Sequence, residues 1–343
     1  ANSWPTYGWR RHATPQIRIE MVAGSWYTRV SMKITPGMRT MLLTMVVTGL
    51  AGRSDGREAI RLAAEPALSP DGSVLVFNWD GDLWRVPTRG GRATPLTTHP
   101  AQDRWAAVSP DGRQIAFQSQ RTGSPLVYTM PAKGGPPTRL TSHSEGFTPL
   151  EWFPDGQGIV ASATRDHGGL ISQRLFRIHP EPDRQAELLT DAYGDLGTVS
   201  ADGTRMLFTR DGAELYRKGY QGSKASQLWM YTFASGEFAQ PVADPGGCRS
   251  PMWRPDGRGF YYVSARDGCF NLWEHDLTTG QERQHTRFND FPVIIPGMSA
   301  DGSTIVFRQG FDFYRYRPAE NVPPQRIDIR YHGDHPEQPA RRR

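Results

Sequence analysis

The chain has 343 residues, among them Gly 36, Pro 28 and Cys 2. That length can bury a sizeable core in one large all-β domain or two ordinary ones, and the many turn residues, with no sustained helical period in the body, exclude an α/β fold. The sequence pI is 9.3, yet the formal charge of +5 resides entirely in residues 1–51, where Arg10, Arg11, Arg18, Arg29, Lys33 and Arg39 face Glu20; the other 34 basic and 34 acidic residues cancel. A neutral body lacks the field that drives binding to a nucleic-acid backbone, so no nucleic-acid partner is expected.

Residues 1–31 show no repeat and no clear amphipathic period, and read as a non-native or disordered extension. From Met32 the pattern changes. Lys33 and Arg39 precede the apolar run Met41-Leu42-Leu43-Thr44-Met45-Val46-Val47-Thr48-Gly49-Leu50-Ala51, which ends on small residues. Residues 32–51 therefore read as a secretory signal, too short to span a bilayer, with Met32 or Met38 as the true start. The alternative is a disordered leader with a short buried helix. Export to a periplasmic or extracellular compartment follows from the first reading, with no membrane attachment after cleavage, and a cytoplasmic location from the second.

An Asp-Gly turn then recurs at Asp71, Asp111, Asp155, Asp202, Asp256 and Asp301, usually behind Ser-Pro, Phe-Pro, Arg-Pro or Ser-Ala, at intervals of 40, 44, 47, 54 and 45 residues. Pro presets φ for the first central position of a type I turn, Asp bonds its own backbone, and Gly accepts the positive φ that follows. Each turn is flanked by short runs rich in β-branched and aromatic residues, such as Ile115-Ala116-Phe117 and Leu126-Val127-Tyr128. A period of this length with several strands per unit predicts a six-bladed β-propeller of four-stranded antiparallel blades over residues 60–331, with 332–343 as a polar tail. The strands fall in order with none left over, so the ring is expected to close by packing between neighbouring sheets, without a strand exchanged between the first and last blades.

Aromatics recur on the third strand of every unit: Trp84, Tyr128, Phe176, Trp229, Trp273 and Tyr314. Such recurrence marks packing between blades. Arg121, Arg165, Arg210 and Arg266 each open the turn before that strand, where pairing with a nearby turn carboxylate that braces adjacent blades is expected. Cys248 and Cys269 fall on the same face of the fifth blade, and the sequence leaves both a disulfide and two thiols open.

Chemistry is sparse. No G-x-S-x-G elbow is assigned anywhere in the chain, and Gly297-Met298-Ser299-Ala300-Asp301 fails at its last position. The His and Cys residues show no zinc spacing, and Asp80-Gly81-Asp82 lacks the distal Glu of a calcium loop. Gly90-Gly91 and Gly134-Gly135 read as hairpin glycines. No catalytic, metal or cofactor-binding residue is assigned.

Asp82-Leu83-Trp84, Tyr216-Arg217-Lys218-Gly219-Tyr220-Gln221-Gly222 followed by Leu228-Trp229-Met230, and Gln284-His285-Thr286-Arg287-Phe288-Asn289-Asp290-Phe291 resemble, in the same order, segments of the amino-terminal six-bladed propeller of tricorn-type proteases. The turns themselves are shared with TolB-like propellers. The resemblance implies a large serine protease acting on oligopeptides, in which this ring is non-catalytic, lies beside the active-site chamber and guides peptides or products. Peptides, a second propeller or catalytic domains, and an oligomeric assembly are the implied partners. In the family archetype the loop before blade three carries a basic pair that holds the peptide carboxylate. Here Ser142-His143-Ser144-Glu145-Gly146-Phe147 has no Arg, so no substrate-binding residue is carried over. The alternative is a TolB-like periplasmic propeller that binds a protein partner; those proteins place an α/β domain before the ring, for which the stretch between Ala51 and Ile60 leaves no room.

Overall fold

The turns behave as their chemistry dictates. In each of the repeats the Gly amide donates to the carbonyl of the residue three before it, and Gly72, Gly112, Gly156, Gly203, Gly257 and Gly302 all take φ between 65° and 71°. Where the turn opens with serine, at Ser69, Ser109, Ser200 and Ser299, its hydroxyl donates to the turn aspartate at 2.6 Å. The same oxygen accepts the amide five residues on, which starts the next strand.

The computed structural model describes residues 17–22, 25–30, 57–165, 172–210, 212 and 219–332. The signal-like segment 32–51 and residues 333–343 lie outside the described residues. The chain divides into two compact units, Ala1–Arg53 and Ser54–Arg343. Within the first, Ile17–Val22 pairs antiparallel with Ser25–Val30, from Ile17↔Val30 to Val22↔Ser25.

The second unit holds six four-stranded meanders, all antiparallel. Blade one comprises Ala64–Leu68, Val74–Trp79, Asp82–Pro87 and Thr94–Pro95, and blade two Asp103–Val108, Gln114–Thr122, Ser124–Pro131 and Thr138–Arg139. Blade three has Thr148–Trp152, Ile159–Ala163, Arg174–Ile178 and Glu187–Tyr193; blade four has Asp195–Val199, Arg205–Arg210, Gln227–Thr232 and Glu237–Ala239. Cys248–Trp253, Gly259–Ser264, Asn271–Asp276 and Glu282–Gln284 form blade five, and Val293–Met298, Ile305–Gln309, Asp312–Tyr316 and Gln325–Arg326 form blade six. This is the six-bladed propeller that the turn period predicts.

A single four-stranded sheet cannot bury both faces, and the core lies between sheets. Each third-strand aromatic packs in a different cluster shared by neighbouring blades. Trp84 joins Phe313 of blade six, Tyr128 joins Leu83 of blade one, and Phe176 joins Val127 of blade two. Trp229 lies against Leu175, Trp273 against Leu228 and Tyr314 against Leu272. Trp152 and Trp253 add indole hydrogen bonds to the preceding blade, at Ala107 O and Thr198 O, 3.0 and 3.1 Å away.

The recurring arginines do two things. Arg121 pairs with buried Asp103 at 3.0 Å and Arg266 with Glu282, but these carboxylates begin strands of the arginine's own blade, so the pairs brace a blade internally instead of joining turns of adjacent blades. All four also lie over the third-strand aromatic of their own blade: Arg121 over Tyr128, Arg165 over Phe176, Arg210 over Trp229 and Arg266 over Trp273, at 4.9, 5.6, 5.7 and 4.4 Å. This cation–π stack was not anticipated from the turn sequence.

Closure differs from the sequence expectation. Blade six ends at Arg326, and Ile329–His332 departs to pair antiparallel with Arg57–Ala59 and parallel with Gly91–Arg92 of the outer hairpin of blade one. The two ends of the propeller are thus hydrogen-bonded into a three-stranded clasp, reinforced by Ile60 N to Ile329 O at 2.9 Å and Ala93 N to Arg330 O at 2.9 Å. Tyr331 packs beneath it on Trp84 and Trp79. The clasp supplies a ladder between the last segment and the first blade that packing alone would lack.

Both cysteines are buried and no disulfide joins them. Burial pushes the Cys248 thiol up to about 12, which keeps it protonated and unreactive.

Candidate functional site: the axial channel

The first strand of every blade lines a channel of about 360 Å³ at the centre of the ring. Pro70, Pro110, Pro154, Ala201, Pro255 and Ala300, each just before a turn aspartate, all belong to this lining. They place a rim of small, rigid residues at the end of the channel where the turns lie.

Deeper in, every innermost strand slips register at the same place. The pairing shifts between Ala64 and Ala67, Arg104 and Ala107, Pro149 and Glu151, Asp195 and Thr198, Arg249 and Met252, and Ile294 and Gly297. Six residues before each turn aspartate stand Glu65, Trp105, Pro149, Leu196, Ser250 and Ile295. All except Pro149 adopt a left-handed backbone, with φ between 43° and 57°. Proline cannot reach positive φ, which explains the exception. A left-handed residue that is not glycine costs roughly 1–3 kcal/mol, and such strain persists only where the surroundings over-determine it.

Acids and hydroxyls satisfy the amides that the bulges free. Glu65 accepts the Trp105 amide at 2.9 Å together with the Arg104 guanidinium; Asp195 accepts the Leu196 amide at 2.7 Å; the Thr209 hydroxyl accepts the Ser250 amide at 3.1 Å. Gly297 is required at its position because a Cβ there would lie 2.8 Å from Pro66 O of blade one. Bulges of this kind re-aim side chains next to functional sites.

Channel electrostatics centre on carboxylates. Glu65 is buried against Arg104. Glu151 accepts the Thr198 hydroxyl at 2.8 Å and the Val199 amide at 2.8 Å, and enclosure in the wall drives its carboxyl up to about 7. It is half-buried and belongs to the channel lining. Burial likewise raises Asp195. Arg254, the cation in the lining, is held by Asp256, Glu274 at 3.1 Å and Asp276 at 3.3 Å.

The segments singled out in the sequence prove structural. Asp82 accepts the Thr97 hydroxyl at 2.9 Å and is raised to about 6 by burial; Leu83 is fully buried. In the segment Gln284–Phe291, His285 bridges Tyr316 at 2.7 Å and Glu274 at 2.9 Å, and Asn271 holds Phe288 by both backbone groups, which ties blade five to blade six. Tyr216 to Lys218 lie outside the described residues. In the short loop before blade three, Gly146 abuts Pro125 and Phe147 is buried edge-on against Phe176, so its aromatic serves packing. No group of three or more His, Cys, Asp or Glu among the described residues is arranged to hold a metal ion. Contrary to the expectation of no such pentapeptide, Gly52-Arg53-Ser54-Asp55-Gly56 carries the letters of a nucleophile elbow. It lies outside the described residues, and the element after it is strand Arg57–Ala59 rather than the helix such an elbow needs.

A family model described as the tricorn protease N-terminal beta propeller domain matches residues 60–322. The chain belongs to this family. Tricorn protease homolog 1 of Streptomyces coelicolor is 29% identical over 269 residues, 77% of this chain and 24% of the homolog. Tricorn protease of Thermoplasma acidophilum is 27% identical over 269 residues, 73% of this chain and 24% of that protein. The chain thus spans about a quarter of the length of these relatives. The crystal structure of the tricorn protease superposes with a TM-score of 0.67 at 22% identity, covering 81% of this chain and 27% of that one. TolB from Acinetobacter baumannii superposes at 0.58 with 19% identity, covering 83% and 67%. At these identities the structural likeness establishes the fold of the tricorn-family propeller.

Proposed function

We propose that this propeller is the non-catalytic ring of a tricorn-like protease, a scaffold beside a catalytic core outside these residues, and that its channel guides peptides or products. The observation that carries the reading is the channel itself: five strained left-handed residues and a rim of proline and alanine line one passage through a family propeller. Peptides and the family's other domains are the partners it implies. The alternative, a TolB-like propeller engaging a protein partner, draws support from the TolB likeness and would use an outer face. Export is proposed from Lys33, Arg39 and the apolar run to Ala51. N-terminal sequencing of the mature protein from the periplasm checks it.

Fluorescence anisotropy with a labelled apolar heptapeptide tests the channel reading. Leu150 lines the channel with partial exposure beside the core shared by blades three and four, so Leu150→Trp adds bulk to the channel wall. Loss of peptide binding in a variant that remains folded at the assay temperature is expected, and the chain alone releases no chromophore from peptide substrates. Binding that survives Leu150→Trp refutes channel guidance and favours the outer-face alternative.

A further inference from the structure

Four residues before each turn aspartate the inner strands carry Ala67, Ala107, Glu151, Thr198, Met252 and Gly297, and all of these line the channel. Blade three alone places an ionisable group at this repeat position. The Glu151 carboxylate receives the Thr198 hydroxyl and the Val199 amide, while a carboxylate offers roughly four acceptor sites. Acceptor capacity therefore remains on a carboxylate that belongs to the channel lining.

The other charged residues of the channel lining, Glu65 and Arg254, are matched. Glu65 faces Arg104, Asp103 faces Arg121, and Arg254 faces Asp256, Glu274 and Asp276. Asp195, on the strand packed against blade three, accepts the Leu196 amide. Only hydrogen bonds offset the burial of Glu151, and among the described residues no cation is paired with it. A buried carboxylate without a counter-cation either takes up a proton or recruits a cation from solution.

We propose that Glu151 anchors a ligand site in the channel for a primary ammonium joined to an apolar chain, the ammonium on the carboxylate and the chain among Trp105, Leu150, Met252 and Met298. These apolar residues share the lining with Glu151, and the channel volume of about 360 Å³ falls in the range of small-molecule sites. The assignment rests on the channel reading above only in requiring that solutes enter. A free peptide N-terminus and a simple alkylamine present the same chemistry.

Titration calorimetry of the full chain with n-hexylamine and 1-hexanol tests it. Burial holds Glu151 near neutrality, about 7, whereas an alkylammonium stays charged well above that. Hexylamine should bind at least tenfold more tightly than hexanol at about pH 8, and this advantage should fall about tenfold at about pH 6 as the carboxyl protonates. Glu151→Gln should abolish the advantage at both pH values. The wild-type pH arm neutralises the same group without a substitution, so the test stands even where the variant folds poorly. Equal binding of amine and alcohol, or an amine advantage that survives folded Glu151→Gln, overturns the proposal. Leu-Leu-amide against its N-acetyl form identifies the source. Preference for the free amine, peaking near neutral pH between the two titrations, makes it a peptide N-terminus. Hexylamine binding with neither dipeptide confines the site to small amines, and counts against peptide guidance but not against Glu151.

Discussion

Tyr331→Ala removes the aromatic over which the two ends of the ring meet. Tyr331 is 8% exposed, and its ring lies 5.4 Å from that of Trp84, edge to face, and 5.7 Å from that of Trp79. Truncating a buried aromatic to alanine costs about 3–5 kcal/mol, of which each ring pair contributes roughly 0.5–1.5 kcal/mol beyond area. Because a terminal segment relaxes more easily than a central strand, the lower part of that range, about 3 kcal/mol, is expected. That is a large share of a total stability of roughly 5–15 kcal/mol. Equilibrium urea unfolding followed by tryptophan fluorescence reads it, since Trp79 and Trp84 report on the clasp. Removing the chain after Asp328 should cost at least as much, because the ladders to Arg57–Ala59 and Gly91–Arg92 go with it. Arg326→Ala, an exposed residue in the same region, should change stability by less than about 0.5 kcal/mol. A loss below about 1 kcal/mol in both clasp variants would show that the ring closes by sheet packing alone, and the account of closure would be wrong.

Arg121→Ala leaves the Asp103 carboxylate, 0% exposed, without its cation, and a loss of about 3–5 kcal/mol in the urea midpoint analysis is expected. Arg121→Lys should recover only part of this, because an ammonium does not stack on Tyr128 as a guanidinium does. Glu151 has a raised folded pKa, so its contribution is most favourable below the unfolded carboxyl value and declines as pH rises through about 7. Glu151→Gln should therefore gain stability relative to wild type at about pH 8, by up to ~3 kcal/mol, with the difference shrinking towards about pH 4; a pH-independent difference would contradict the burial argument. The turn carboxylates act in the opposite sense. Serine hydroxyls and backbone amides hold Asp71, Asp111 and Asp202 below the usual range, Asp202 at about 2, so their stabilisation is present above the ordinary carboxylate pKa and lost as pH falls through the depressed values. Asp202→Asn should lower the thermal midpoint at neutral pH, by an amount equivalent to about 0.5–1 kcal/mol, and have little effect in strong acid.

The blades were legible because turn chemistry is local. Ser, Pro, Asp and Gly at Ser109–Gly112 specify their own hydrogen bonds within a few residues, and the recurrence of Trp84 and its counterparts marks a repeated burial site. The channel was not legible for the opposite reason. Glu65, Trp105, Pro149, Leu196, Ser250 and Ile295 stand at one fixed distance from the turns but share no side-chain chemistry. What unites them is a backbone slip, and the partners of its amides are scattered: Glu65 for Trp105 and Thr209 for Ser250 come from the preceding blade, while Asp195 for Leu196 is the adjacent residue. The clasp escaped notice because Ile327–Ile329 reads as the end of a fourth strand, while its partner Arg57–Ala59 is three residues long. Glu151 carries no motif of its own, standing next to Trp152 in an ordinary strand run. Comparison of the repeats at its position, with Ala, Ala, Thr, Met and Gly in the other blades, is the signal that singles it out.

A crystal structure of the chain tests the central claim most directly. The account predicts six four-stranded blades around an open channel, with left-handed backbone at Glu65, Trp105, Leu196, Ser250 and Ile295 and the Glu151 carboxylate on the channel wall. A different blade number, or inner strands that run unbulged and close the channel with their side chains, would contradict it.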